Sequence, residues 1–153
     1  LIYFFLPNEG EEGKPSSAQS SKAFAHLRGG SAVVHENEFV HWNIDDDTLL
    51  HDIDHRGGRL VIQKEGYYHV YSKISYINTT MFYHSVMLTG PRYKEDITLI
   101  KSWKNSVQSL DQSNSCLDGV FHLTKGCTIF VKVSDTSKIF KNPTQNYFGA
   151  FII

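Results

Sequence analysis

The densest run of side chains capable of chemistry is His51-Asp52-Ile53-Asp54-His55, with Asp45-Asp46-Asp47 just upstream. Imidazoles and carboxylates bind metals and move protons. Two histidines four residues apart share a face only on a helix, and here Gly57-Gly58 follows at once in a β-rich context. Spacing without a scaffold makes no site, so this stretch reads as a solvated polar loop. The two thiols are Cys116 and Cys127. A nucleophile needs a base and an orienting group, and no such set can be deduced for either. Two cysteines are too few for a disulfide framework. If residues 117–123 and 128–133 form a hairpin across Thr124-Lys125-Gly126, Cys116 lies several residue spacings from Cys127, beyond bonding reach. Both are expected to be free. The sequence holds no Gly-x-Ser-x-Gly, no phosphate-cradling glycine loop and no His-Glu-x-x-His, so no catalytic residue, metal or cofactor is expected.

The elements that must position any binding site are easier to read. A chain of 153 residues, 41% apolar and 20% charged, is one globular domain with room for a substantial core. Formal net charge is -1, which gives no basic field for nucleic acid. The eight histidines make the chain more cationic in mild acid. No stretch reaches the roughly 20 apolar residues that span a bilayer. Leu1-Ile2-Tyr3-Phe4-Phe5-Leu6 is too short, lacks signal-peptide flanks, and reads best as a strand preceding the sheet. Residues 1–22 are a lead-in, flexible and Pro-, Gly-, Glu- and Ser-rich over 7–22, and 23–153 are the folded domain.

From Ala23 onward short apolar segments alternate with turns, without helical periodicity. Strands are predicted over 23–28, 39–43, 60–63, 67–77, 82–88, 97–103, 117–123, 128–134 and 147–153. Many short strands without helices imply an all-β antiparallel sandwich or jelly roll. Segments 45–59 and 138–146 read as long polar loops. The chain's last seven residues, Tyr147-Phe148-Gly149-Ala150-Phe151-Ile152-Ile153, are mostly large and apolar, so they belong inside a sheet or an interface rather than in water. Alternation puts Tyr67, His69, Tyr71 and Lys73 on one side of their strand, opposite Tyr68, Val70 and Ile74. It likewise puts Tyr147, Gly149, Phe151 and Ile153 opposite Phe148, Ala150 and Ile152. A sandwich needs one apolar face per strand, and the surplus face argues for oligomerisation. Asn78-Thr79-Thr80 is an N-glycosylation sequon in an expected loop.

Leu60-Val61-Ile62, Lys64-Glu65-Gly66, Tyr67-Tyr68-His69-Val70-Tyr71-Ser72 and the Phe148-Gly149 ending resemble the tumour necrosis factor ligand superfamily. Ala25-His26-Leu27, His41-Trp42 and Leu117-Asp118-Gly119-Val120-Phe121 fit the same order over about 23–153. The resemblance is strongest to the death-ligand branch and the neighbouring ligand LIGHT. It implies a jelly-roll homotrimer, the extracellular part of a type II cell-surface protein whose anchor lies outside this chain, in held or shed form. Its partners would be cysteine-rich death-receptor-type ectodomains, clustered to trigger death or immune signalling. It places His69, Tyr71, Cys116, Phe121, Tyr147 and Ile153 at the trimer interface. Tyr93, with Arg92 and Lys94, matches the receptor-contacting loop, and segment 45–59, with Arg56 and Arg59, lies near the same groove. The acidic run 45–47 beside those arginines implies salt-sensitive association.

Two departures stand out from the family pattern. One member holds zinc on its axis through a cysteine preceded by residues like Lys101–Ser106, but Val107 follows here and has no donor. Cys116 replaces a customary axial tyrosine, and His69 an apolar residue; a buried inert thiol and a hydrogen-bonded imidazole are expected rather than metal ligands. Other jelly-roll classes fit less well. Complement-like trimeric heads usually follow Gly-X-Y repeats, absent from residues 1–22. A lectin has only the Asp45–Asp47 hint, and a cupin-type enzyme would need more ligands than His69 and His122.

Overall fold

The computed structural model describes residues 22–29, 37–45 and 48–153. The short strands predicted from alternation form two five-stranded antiparallel sheets. The first sheet runs β2 (Leu49–His51), β1 (Phe24–Arg28), β10 (Tyr147–Ile152), β5 (Gly66–Tyr76), β8 (Ser113–Leu123). The second runs β3 (Ile53–Arg56), β4 (Arg59–Ile62), β9 (Thr128–Val133), β6 (Thr79–Thr89), β7 (Ile97–Leu110). The chain crosses between sheets from β2 to β3, β4 to β5, β5 to β6, β7 to β8, β8 to β9 and β9 to β10, the weave of a jelly roll.

The inward positions supply a continuous core. Leu27, Trp42, Leu60, Ile62, Tyr68, Val70, Ile74, Phe82, Ile129 and Phe148 are fully buried among one another. Tyr76 and Phe82 stack with centroids 4.0 Å apart across the gap between sheets. The terminal strand is central to the first sheet. It pairs with β1 from Phe24–Phe151 to Arg28–Tyr147, and with β5 from Tyr147–Lys73 to Ile152–Tyr68.

Several expectations are corrected. Segment 45–59 is not a loop: it contains β2 and β3 and reaches β4. Asp52, between β2 and β3, has φ 52°, a left-handed corner that lets the chain leave one sheet for the other. Residues 39–43 form no strand. Phe39 makes a single bridge to Lys132 and the Val40 amide donates to the Val131 carbonyl at 3.0 Å, after which Trp42 turns into the core. Strands β7 and β8 run longer than predicted, because edge strands tolerate the polar residues that disguised their ends. Residues 117–123 and 128–133 are not a hairpin, since β8 pairs with β5 while β9 pairs with β4 and β6. The cysteines are nonetheless free: Cys127 is buried and Cys116 is exposed on the protomer. The expected lead-in strand at 1–6, and residues 46–47 of the acidic run, lie outside the described residues.

Candidate functional site

Outward-facing residues of the first sheet build one aromatic surface. Alternation along β5 turns Tyr68, Val70, Ser72 and Ile74 inward, leaving Tyr67, His69, Tyr71 and Lys73 outside. Strand β10 adds Tyr147 and Phe151 between β5 and β1, and β1 adds Phe24 and His26. Tyr71 is the hub, with ring centroids 6.0 Å from Tyr147, 6.0 Å from His69 and 6.5 Å from Phe151. Its hydroxyl is hydrogen-bonded to His26 Nδ1 at 2.7 Å. The site tolerates that hub because position 149 has no side chain: a Cβ there would run into the Tyr71 phenol and the Ala25 carbonyl. His69 stands edge-on to Phe151 at 4.9 Å, and its Nε2 lies 2.8 Å from an Asp118 carboxylate oxygen.

Burial among these rings, then the charge of Arg28, lowers the His26 pKa below the ordinary imidazole value. Burial, then Tyr147, raises that of Tyr71. Both groups are therefore held neutral near pH 7. The same face exposes Phe24, Leu49, Tyr67, Val120, Phe151 and Ile153. So many large apolar groups on one sheet face mark an interaction surface.

Of the six residues assigned to an interface, His69, Tyr71 and Tyr147 come together here, with Ile153 at the margin. Cys116 is on the same face but pairs with Lys73, four positions along β5 from His69, about 13 Å at strand rise. Phe121 lies on the other face: it pairs with inward-facing Tyr68 and packs against the core near the β7–β8 edge. Among the described residues no group of three or more His, Cys, Asp and Glu side chains is placed to hold a metal. His26, Phe151 and Asp118 were missed as site members, although period-two counting from Tyr71 and Tyr147 reaches Phe151 directly.

The loop residues sit elsewhere. Tyr93 lies in the 90–96 connection of the β6–β7 hairpin, 39% exposed, its amide donating to the Gly90 carbonyl at 3.1 Å. Arg92 and Lys94 flank it, exposed. Arg56 and Arg59 face each other across the β3–β4 hairpin, at the opposite margin of the second sheet. Arg56 lies 3.7 Å from Asp54, while the Arg59 guanidinium lies over the rings of Phe39 and Phe130 at 4.7 and 4.3 Å. Within one protomer these two groups do not converge. Asn78 is exposed at the turn between β5 and β6 with φ 54°.

A model of the TNF (Tumour Necrosis Factor) family matches residues 40–153. The chain is 27% identical over 146 residues to mouse (Mus musculus) tumor necrosis factor ligand superfamily member 6, covering 90% of this chain and 51% of that protein. It is 28% identical over 153 residues to the human (Homo sapiens) counterpart, covering 93% and 53%. It is 30% identical over 155 residues to lymphotoxin-alpha of Notamacropus eugenii, covering 92% and 75%. The chain thus spans about half the length of the two superfamily member 6 relatives. With a two-sheet jelly roll, a terminal strand built into the first sheet and these matches along most of its length, the chain belongs to the tumour necrosis factor family of cytokine ligands.

Proposed function

We propose that residues 23–153 are the receptor-clustering domain of an extracellular homotrimeric cytokine, carried by a type II membrane anchor outside this chain or released from it. The observation that supports this best is the aromatic outer face of the first sheet, centred on Tyr71, Tyr147 and Phe151 and apolar beyond the needs of one sandwich. Packing copies against one another through that face removes it from water and leaves the second sheet and the hairpin loops outside. His69 and Ile153 would be covered with it, as would Cys116 and Phe121 along the β8 edge. No helix among the described residues is long and apolar enough to cross a membrane.

In this reading the receptor, a cysteine-rich ectodomain of the death-receptor type, lies in a groove between protomers. Tyr93, Arg92 and Lys94 come from one protomer and Arg56 and Arg59 from its neighbour, which accounts for their separation within a single chain. A half-exposed tyrosine on a turn offers a large contact area and a hydroxyl at low entropic cost. The protein acts as a ligand, without catalysis, and Asn78 carries a glycan. Titration against a panel of death-receptor ectodomains tests the proposal. Tyr93→Ala is expected to weaken the responding pair by about tenfold or more, with mass and thermal midpoint unchanged. Loss of fold together with binding, or no response from any receptor, would defeat it.

A further inference from the structure

The outer face of the second sheet carries two adjoining depressions. One, of about 300 Å³, is lined by Tyr83, Ser85, Thr98, Lys101 and Lys132 among others. The second, of about 540 Å³, is lined by Phe39, His41, Gly57 and Arg59, and shares Lys132 and Glu38 with the first. Among the described residues, three permanent cations therefore meet a single lining carboxylate, Glu38, which lies 3.7 Å from Lys132. On a chain of formal net charge -1, that is a local concentration of positive charge.

The cations are also held in place. The Lys101 ammonium sits 4.7 Å from the Tyr83 ring centroid, and Arg59 lies over Phe39 and Phe130, contacts with ring faces that take up no hydrogen-bond acceptor. Beside them Trp103, the cross-strand partner of Tyr83, exposes 60% of its surface, its ring centroid 5.2 Å from the tyrosine. An indole left open beside ammonium groups is an apolar shelf with charged donors at its edge.

We propose that this face binds an extended sulfated polysaccharide, a sugar ring resting on Trp103 and successive sulfate groups meeting Lys101, Lys132 and Arg59. A small oxyanion would leave most of the arrangement unused, because the cations are spread over two depressions instead of converging on one point. A nucleic acid would require a succession of open stacking platforms, whereas Phe39 and Phe130 on this face are covered by the Arg59 guanidinium, leaving the Tyr83–Trp103 pair as the open platform among the described residues. Access to such glycans rests on the extracellular placement proposed above. The face is on the sheet opposite the assembly surface, so both can be occupied together.

Affinity for immobilised heparin tests this. The unaltered protein is expected to be retained and released by salt. K101Q/K132Q is expected to bind roughly tenfold more weakly, with W103A also weakened and K125Q, on a distant turn, unchanged. Thermal midpoint and light-scattering mass establish that each variant folds. Should the double variant not fold, K101Q alone and competition of the unaltered protein by desulfated heparin decide. No retention of the unaltered protein, equal retention of a folded K101Q/K132Q, undiminished binding to desulfated heparin, equal retention on single-stranded DNA, or displacement by millimolar inorganic phosphate would each overturn the proposal. Arg59 is left intact in these variants. Receptor titration of the same proteins thus separates failure of this site from failure of the cytokine reading.

Discussion

His84 is fully buried between the sheets, with Nε2 2.9 Å from Ser72 Oγ and Nδ1 2.9 Å from Ser115 Oγ. Serine hydroxyls both donate and accept, so both ring nitrogens have partners in either neutral tautomer, and what disfavours the imidazolium is the loss of its hydration on burial. Burial, reinforced by the charge of Lys104, lowers its pKa from 6.5 to about 3. Between those values the unfolded chain binds more protons than the folded one, so stability falls as pH drops below about 6.5 and is flat above it. The slope is on the order of 1 kcal/mol per pH unit. Thermal midpoints at a fixed protein concentration from pH 7 to pH 4.5 should show this loss, and His84→Gln should shrink it while lowering stability at pH 7. An unchanged slope would assign the acid sensitivity to other groups, among them His26, whose lowered pKa acts in the same direction. Asn146 is another polar residue sealed into the fold. Its Oδ1 accepts the Ser75 amide at 2.7 Å, and its Nδ2 donates to the carbonyls of Phe140 and Asn142 at 2.6 and 3.1 Å. Asn146→Ala orphans a buried N–H and should cost about 2–3 kcal/mol, read as a lowered midpoint in urea. A shift of a few tenths would show that water replaces the amide.

At the scale of elements, strands with strict alternation were legible and those with mixed composition were not. In β5 and β10 bulky residues on both faces gave away the strands and their inward sets, Tyr68, Val70 and Ile74 against Phe148 and Ala150. In 49–56 two strands of three and four residues are joined by a single corner residue, leaving no room for a period to show. The hairpin assumed across Gly126 failed because turn signals report a reversal of direction and not which sheet receives the chain. Tyr71 and Tyr147 could be counted onto one face of the candidate site. The His26–Tyr71 and His69–Asp118 pairs join residues 45 and 49 positions apart, which no local pattern carries. The closest fit between elements is where β10 passes β5 and β1 at Gly149, with the Tyr71 phenol above it. Gly149→Ala must displace that ring or spread the strands, and overpacking of this kind costs about 1–3 kcal/mol. Thermal unfolding should record the loss, and near-ultraviolet circular dichroism a changed tyrosine environment. A midpoint within a degree of the unaltered protein would mean that the sheet yields at no cost.

At the scale of the molecule the two sheets have different outer faces. The first presents Phe24, Tyr67, Tyr71, Tyr147 and Phe151, while the second presents lysines, serines and threonines around Tyr83 and Trp103. Burying the first between copies and leaving the second in solvent is the arrangement that removes most apolar surface from water. Phe151 separates assembly from folding, because it is 43% exposed on the protomer, outward from a central strand. A charge there meets water in the protomer, at the cost of the ring's contacts with His69 and Tyr71 but without a buried charge. In a closed apolar interface the same charge lies unpaired and costs several kcal/mol. Phe151→Asp should therefore convert particles of about three times 17.4 kDa into folded protomers of 17.4 kDa at micromolar concentration, with far-ultraviolet circular dichroism preserved. Lys101→Asp, on the opposite sheet, should leave the mass unchanged. If Phe151→Asp remains trimeric, the copies meet through another surface, and if Lys101→Asp dissociates them, that surface includes the second sheet.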